Sequence, residues 1–344
     1  MNKLTKVGLS ALCGSLAAIT GANSGELTVK GGATATWSSN AEDVTGNPIG
    51  LSSGITMTGS GELDNGTTFA LTFTQADQSA WSAGSIAMTM PSMGSISIGG
   101  ITGGNGIGGY DDKMPTAWEE TWGTSLGTGI DLAKGVGSSM NIQYKTPSIA
   151  GTTLAIAYTP KNDTTMVNDK SVSGAAASVY GAGYDVVLDI NAYDQNVFVG
   201  YSTSERDPAN KAAGTNGDGN QDREEAVGGA IFTIGPVKAG IQATVEFLGN
   251  EQVASDVFGY RNVAWGVSFN VSDNLSLSYG EMESKKGFQS LEGGATEVML
   301  VDSLQAAYTM GGATIKIAES SVENGTYTST TDKDATTVAL SLAF

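Results

Sequence analysis

The sequence contains no histidine and a single cysteine, Cys13. Without histidine there is no imidazole general base, no histidine-centred triad and none of the commonest zinc ligands. Cys13 falls within the first two dozen residues, so the chain beyond them has no disulfide and no thiolate metal site. Charge is scarce as well. Charged residues make up 15% of the chain, where a soluble domain carries about a quarter. The basic sign is the rarer one: 17 lysines and arginines stand against 35 aspartates and glutamates, for a formal charge of −18. Nucleic acid is thereby excluded as a partner, because phosphate backbones need basic contacts. Cations are what such a chain attracts.

No hydrophobic run is long enough to cross a bilayer as a helix, which takes about 20 apolar residues. A shorter one stands at the N-terminus, where MNKLTK places two lysines ahead of VGLSALCGSLAAIT and then GANS. A basic segment, a short apolar segment and small residues near a cleavage point form a secretory signal. Ala22 and Ser24 are the small residues, so residues 1–24 are expected to be a cleaved leader and 25–344 the mature domain. Leu12, where a small residue would precede a lipidated cysteine, argues against an anchor on Cys13. Losing Lys3 and Lys6 with the leader makes the mature charge −20 from −18.

What is plentiful is alternation. In 66-GTTFALTFTQAD-77, Phe69, Leu71 and Phe73 point one way and Thr68, Ala70, Thr72 and Thr74 the other. This is the period of a strand with one apolar face. The same pattern runs through 262-NVAWGVSFNV-271 and the C-terminal 335-ATTVALSLAF-344. About sixteen such segments follow from strand and turn signals together. The alternation is least regular in the eighth, within 172–191, and the fourteenth, 297–310. Every second connection is tight and carries turn residues: DNG (64–66), PSMG (91–94), AYDQN (192–196), GPV (235–237), SDN (272–274) and MGG (310–312). The others are longer and polar, such as 206–224 and 285–296. Even strand number, short turns on one side and long loops on the other describe a transmembrane antiparallel β-barrel. Tyr144, Tyr158, Trp265, Tyr279, Tyr308 and Phe344 fall near strand ends, where interfacial aromatics belong. Parity sends Lys30, Thr34, Thr36, Thr56, Thr58, Thr72 and Thr74 to the lumen, with Lys316 on strand fifteen and Lys145 and Lys238 near the periplasmic rim.

The stretch 105-NGIGGYDDKMPTAWEETWG-123 stands apart. It gathers Asp111, Asp112, Glu119 and Glu120 around Lys113, Pro115, Trp118 and Trp122 within a connection that runs from about Ile101 to Gly137. Crowded carboxylates raise one another's pKa unless a cation intervenes. Lys113 is one such cation; a calcium ion at these four acids is another, since clustered hard oxygens suit it. No other cofactor is indicated. Read alone, paired carboxylates also fit a secreted enzyme with Glu119 and Asp112 as acid and base. A non-conducting surface β-barrel or adhesin is a further reading.

Taken together, the leader followed by GELTVKGGATATW, the turn alternation, the long fifth connection and the terminal Phe344 resemble a general diffusion porin of Gram-negative bacteria, of the alphaproteobacterial type. The resemblance implies a sixteen-stranded barrel in the outer membrane, a non-enzymatic, water-filled channel for ions and small hydrophilic solutes, and a homotrimer. It also implies that the loop after strand five folds into the lumen as the third outer loop, with Asp111, Asp112, Glu119 and Glu120 lining a constriction opposite a basic wall. Here that wall would be Lys30, Lys316, Lys145 and Lys238. The family's strong arginine cluster is missing, so a cation preference is expected rather than a sharp transverse field.

Overall fold

Strands form wherever apolar and small polar residues alternate, because only an extended backbone puts them on opposite faces. The computed structural model describes residues 25–40, 47–77, 83–100, 104–123, 126–161, 180–206, 221–249, 257–288 and 297–344. The expected leader lies outside them, as does most of the 206–224 connection.

Sixteen strands are present: β1 Glu26–Asn40, β2 Ile49–Glu62, β3 Thr68–Ala76, β4 Ala83–Met90, β5 Gly94–Gly100, β6 Asn141–Lys145, β7 Thr152–Thr159 and β8 Tyr180–Ala192 in the first half. The second half has β9 Gln195–Arg206, β10 Arg223–Ile234, β11 Val237–Phe247, β12 Val257–Asn270, β13 Leu275–Phe288, β14 Met299–Met310, β15 Ala313–Glu323 and β16 Lys333–Ala343. Each pairs antiparallel with its neighbours in sequence, and β16 pairs with β1 to close the barrel. At the seam the terminal residue takes part: Phe344 and Gly31 exchange backbone hydrogen bonds of 3.2 and 2.9 Å. Closure leaves no strand edge unpaired, the condition for a sheet to sit in hydrocarbon.

The boundaries agree with the sequence pattern apart from two strands. β13 runs to Phe288, into the connection expected over 285–296, because it pairs there with residues 257–261 of β12; the other is β2. That strand begins at Ile49, before the expected Gly54, because Trp37 on β1 pairs with Ile49 and extends the ladder over weakly patterned residues. The tight connections turn as their residues require. Tyr193 and Asp194 both take left-handed φ, 52° and 61°, the two-residue geometry that matches strand twist.

The outward face of the barrel is largely apolar: Leu27, Val29, Leu71, Ile86, Ile156, Val199, Ile241, Val267, Leu304 and Leu340 are all exposed on it. Tyr144, Tyr158, Trp265, Tyr308 and Phe344 stand on this face. Across the wall, hydroxyls pair with hydroxyls: Thr34 with Ser341 at 2.8 Å, Thr56 with Thr74 at 3.2 Å and Thr58 with Thr72 at 3.3 Å. These threonines therefore face the lumen, as parity requires.

Candidate functional site

Forty residues separate β5 from β6, and those described run along the inner wall rather than out of it. The loop is held first at its stem. Asp185, fully buried on β8, accepts the backbone N–H of Ile107 at 2.8 Å and of Val136 at 3.2 Å. Gly106 and Gly135 make this cradle. Both have left-handed φ, 65° and 52°, and a Cβ on either would strike the Asp185 carboxylate. Glu225 on β10 accepts the N–H of Lys134 at 2.8 Å and of Gly135 at 3.1 Å. Arg223 holds Glu225 at 3.0 Å and Glu246 at 2.5 Å, so its cation neutralises part of this buried acidity. Below, Ile107 and Ala133 pack on Ala155, Val187, Phe198 and Val227.

The tip is held differently, by neutral groups. Gln242 on β11 accepts the Lys113 N–H at 2.9 Å and donates to the Asp111 carbonyl. Ser278 on β13 accepts the Ala117 N–H at 2.8 Å. Gln305 on β14 accepts from the N–H groups of Trp118 and Glu119 at 3.1 Å and donates to the Glu119 carbonyl at 2.8 Å. Met114 packs on Ala264 and Met282, and Trp122 rests against the same patch. Trp122 is thus an anchor. Trp118 has the Lys316 ammonium 5.6 Å from its ring centroid.

The four acids come together on this tethered segment. Asp112 and Glu120 share a side-chain hydrogen bond, and Glu119 hydrogen-bonds to Glu120. Burial, then the Asp112 charge, pushes the Asp111 carboxyl up to about 7. Burial raises Asp112 as well, helped by its bond to Glu120, and it raises Glu120. Lys113 opposes the shift at Asp111 and Asp112, and its ammonium lies 5.4 Å from the Tyr110 ring centroid. Among the described residues, no three acidic side chains converge in a way that would hold a metal ion.

The expected basic wall divides. Lys316 approaches the loop through Trp118. Its row continues through Ala339 to Thr36, which places Lys30, of the same parity, on the lumen side too. Lys145 ends β6 and Lys238 opens β11, both at the short-turn end of the barrel. The stem and tip anchors are not marked by any motif. Their signal is a polar residue at lumen parity beside turn-free apolar sequence, as in 184-YDVVLDI-190. Arg206 and Arg223 also proved more interior than their place beside an outer loop suggests: both lie over the Tyr180 ring, at 5.2 and 5.6 Å.

The chain matches the family model described as Gram-negative porin over residues 8–344. Its fold is similar to that of Salmonella typhi OmpF, solved in complex with daunomycin, at 15% identity and a TM-score of 0.64 over 92% of this chain and 97% of that one. It is similar to the anion-selective porin from Comamonas acidovorans, at 14% identity and a TM-score of 0.60 over 93% and 100%. It is also similar to the trimer form of OmpT from Vibrio cholerae, at 12% identity and a TM-score of 0.62 over 93% and 99%. Among curated proteins nothing matches.

Proposed function

The chain belongs to the Gram-negative porin family, and from that premise we propose that it forms a cation-selective, water-filled channel through which ions and small hydrophilic solutes diffuse passively. The observation that carries the selectivity is the position of the acids. Asp111, Asp112, Glu119 and Glu120 share one loop whose hydrogen bonds to the wall land on β11, β13 and β14 at its tip. Strands β1–β4 are then free to form the facing wall, and the described cation on them is Lys30, at lumen parity. Every permeating ion passes between the two. Carboxylates in a narrow aqueous throat focus potential far better than the same groups on an open surface. At 4 Å and an effective dielectric near 20, one charge is worth about 4 kcal/mol before screening. A tenth of that from each acid biases the permeability ratio severalfold.

The fold does not set the sign of selectivity, since a similar barrel is anion-selective; the throat residues do. Replacing all four acids by Asn or Gln is expected to move the zero-current potential in a salt gradient toward zero. Neutralising a similar number of acids in 206–224 should do much less, because outer-loop charges are screened over about 8 Å. Equal shifts from the two variants would show that the acids at 111–120 are not in the throat.

The same reading makes the protein a homotrimer, in line with the trimer form of the Vibrio OmpT, and removes residues 1–24 on export. Migration as an oligomer in SDS before heating and N-terminal sequencing from Gly25 check these two points. An intact Met1 in outer-membrane material would overturn the second.

A further inference from the structure

Backbone strain collects at one place on the long-loop side of the barrel. Residues 324–332 join β15 to β16. Four of them that are not glycine take left-handed φ: Asn324 at 55°, Thr326 at 56°, Tyr327 at 61° and Thr330 at 69°. That region is costly for any residue with a Cβ, and most of all for β-branched or bulky ones. The segment's own glycine, Gly325, does not relieve the strain, since its φ is not left-handed. Such a conformation persists only where the surroundings over-determine it.

What holds it is the inward loop. The Thr326 N–H donates to the Thr128 carbonyl at 2.9 Å. Tyr327 is 7% exposed and sits among Leu126, Met299, Val301, Val322 and Ala335, with the Tyr260 ring 5.8 Å away between centroids. Its hydroxyl shares a hydrogen bond of 2.9 Å with Ser284. Ser284 donates to Asn262, whose amide donates to the Asp131 carbonyl at 2.8 Å. The segment gripped in this way is hinged. Gly127 and Gly129 flank Thr128 with left-handed φ of 60° and 75°, and a Cβ on Gly127 would meet nothing within 4 Å. Backbone freedom, not space, is what glycine provides there. Trp122 and Ile130 carry the contact onward, because each packs both on this cluster and on the patch of Met114, Ala264 and Met282 under the tip.

A strained catch on a glycine hinge is an element with two arrangements. We propose that residues 324–332 latch the returning limb of the inward loop. Release of Thr326 and Tyr327 swings residues 126–131 off the wall, shifts Glu119 and Glu120 beside Trp122, and switches the pore between two conductance levels. In the latched state burial of Tyr327 offsets the strain; in the released state the strain is gone and the ring meets lumen water. The two terms oppose each other, so neither state excludes the other. The latch rests on the proposed function, in which the inward loop narrows the pore.

A Cβ on Gly129 would lie 3.8 Å from that of Thr326, the separation a disulfide takes. The sequence has one cysteine, Cys13, so Gly129→Cys/Thr326→Cys on a Cys13→Ser background supplies a single thiol pair. In planar bilayers the reduced double variant should exchange between two conductance levels. The oxidised one should lose the upper level, and dithiothreitol should restore it in the same channel, which keeps folding out of the comparison. Two variants with the hinge intact act in opposite directions. Thr330→Asn eases the strain at an exposed position and should lengthen dwells in the lower level by about threefold, since asparagine tolerates left-handed φ better. Tyr327→Ala should lengthen dwells in the upper level. Identical levels and dwells in the oxidised and reduced channel overturn the proposal, and so do dwells that neither Thr330→Asn nor Tyr327→Ala alters. The zero-current potential keeps the two readings apart. If Asp111, Asp112, Glu119 and Glu120 set that potential in a channel unmoved by oxidation, the proposed function stands and the latch falls.

Discussion

The stem and the tip of the inward loop are both tied to the wall by side chains accepting backbone N–H groups, yet they use opposite chemistry. At the stem the acceptors are the carboxylates Asp185 and Glu225, buried and backed by Arg223. At the tip they are the amides of Gln242 and Gln305 and the hydroxyl of Ser278. Charged acceptors make the stronger bonds, about 1.5–3 kcal/mol against about 1 for neutral ones. The difference follows from what the tip already carries. Asp111, Asp112, Glu119 and Glu120 crowd there, and a further carboxylate would raise their pKa values and cost part of their charge. On the proposed function, strength is placed where no ion passes, and neutrality where the field is needed.

The largest expected effect comes from breaking the stem. In Asp185→Asn the side chain keeps one acceptor but turns an amide toward the N–H groups of Ile107 and Val136. About 3 kcal/mol should be lost, seen as heat unfolding at lower temperature together with a larger, noisier single-channel conductance. Gln305→Ala removes three hydrogen bonds of the tip, but lumen water can replace them, so about 1–2 kcal/mol is expected. Should the two variants lose equal heat stability, the division between charged stem and neutral tip has no energetic meaning.

Much of this arrangement was legible before any coordinates, and the reason lies in the barrel's symmetry of environment. Wherever one face meets lipid and the other meets water, as at Phe69, Leu71 and Phe73 against Thr72 and Thr74, parity alone assigns the lumen. The irregular segments are the instructive ones. β8 and β14 blur because Val187 on the first and Met299 and Val301 on the second face inward and still are apolar: they lie under the loop and its neighbours. A strand that packs on both faces loses its period-two signal. The acidic tip was legible because charge of either sign is scarce in this sequence, at 15% of the chain, and a cluster of acids is therefore conspicuous. Its anchors were not, because Gln242, Ser278 and Gln305 are ordinary lumen residues until the loop reaches them. Arg223 likewise reads as an edge residue, and only its contacts with Glu225 and Glu246 give it a place inside.

A titration sharpens the comparison from the side of the tip. Asp111 has its pKa raised to about 7 from an ordinary 3.8, and Asp112 and Glu120 are raised as well. A raised carboxyl is charged only above its folded pKa, so cation selectivity should fall as pH drops from 8 to 5. Stability should move the other way. Between about pH 7 and 4 the folded protein holds a proton at Asp111 that the unfolded chain releases, so its stability rises as pH falls through that window. Reversal potentials and heat unfolding across the range check both signs. In Asp111→Asn both slopes should flatten, and a selectivity that rises on acidification would show that the tip acids do not set it.

The smallest expected effect distinguishes the tip from the rim of the same lumen. Lys316 lies over the Trp118 ring, beside Glu119 in sequence, whereas Lys238 opens β11 at the short-turn end. Both carry one charge and both face the lumen. On the proposed function only Lys316 shares the segment in which an ion passes the acids, so Lys316→Gln should raise the cation-to-anion ratio by about twofold. Its contact with Trp118 is worth about 0.5–1 kcal/mol at a partly exposed site, and its loss should leave heat stability nearly unchanged. Lys238→Gln acts across water over more than a screening length, about 8 Å at physiological salt, and should alter selectivity little. The contrast should widen at high salt, where the rim charge fades first. Equal effects from the two lysines would mean that the field is spread along the pore, and that the acids of the tip act as part of a uniformly negative lumen rather than as its gate.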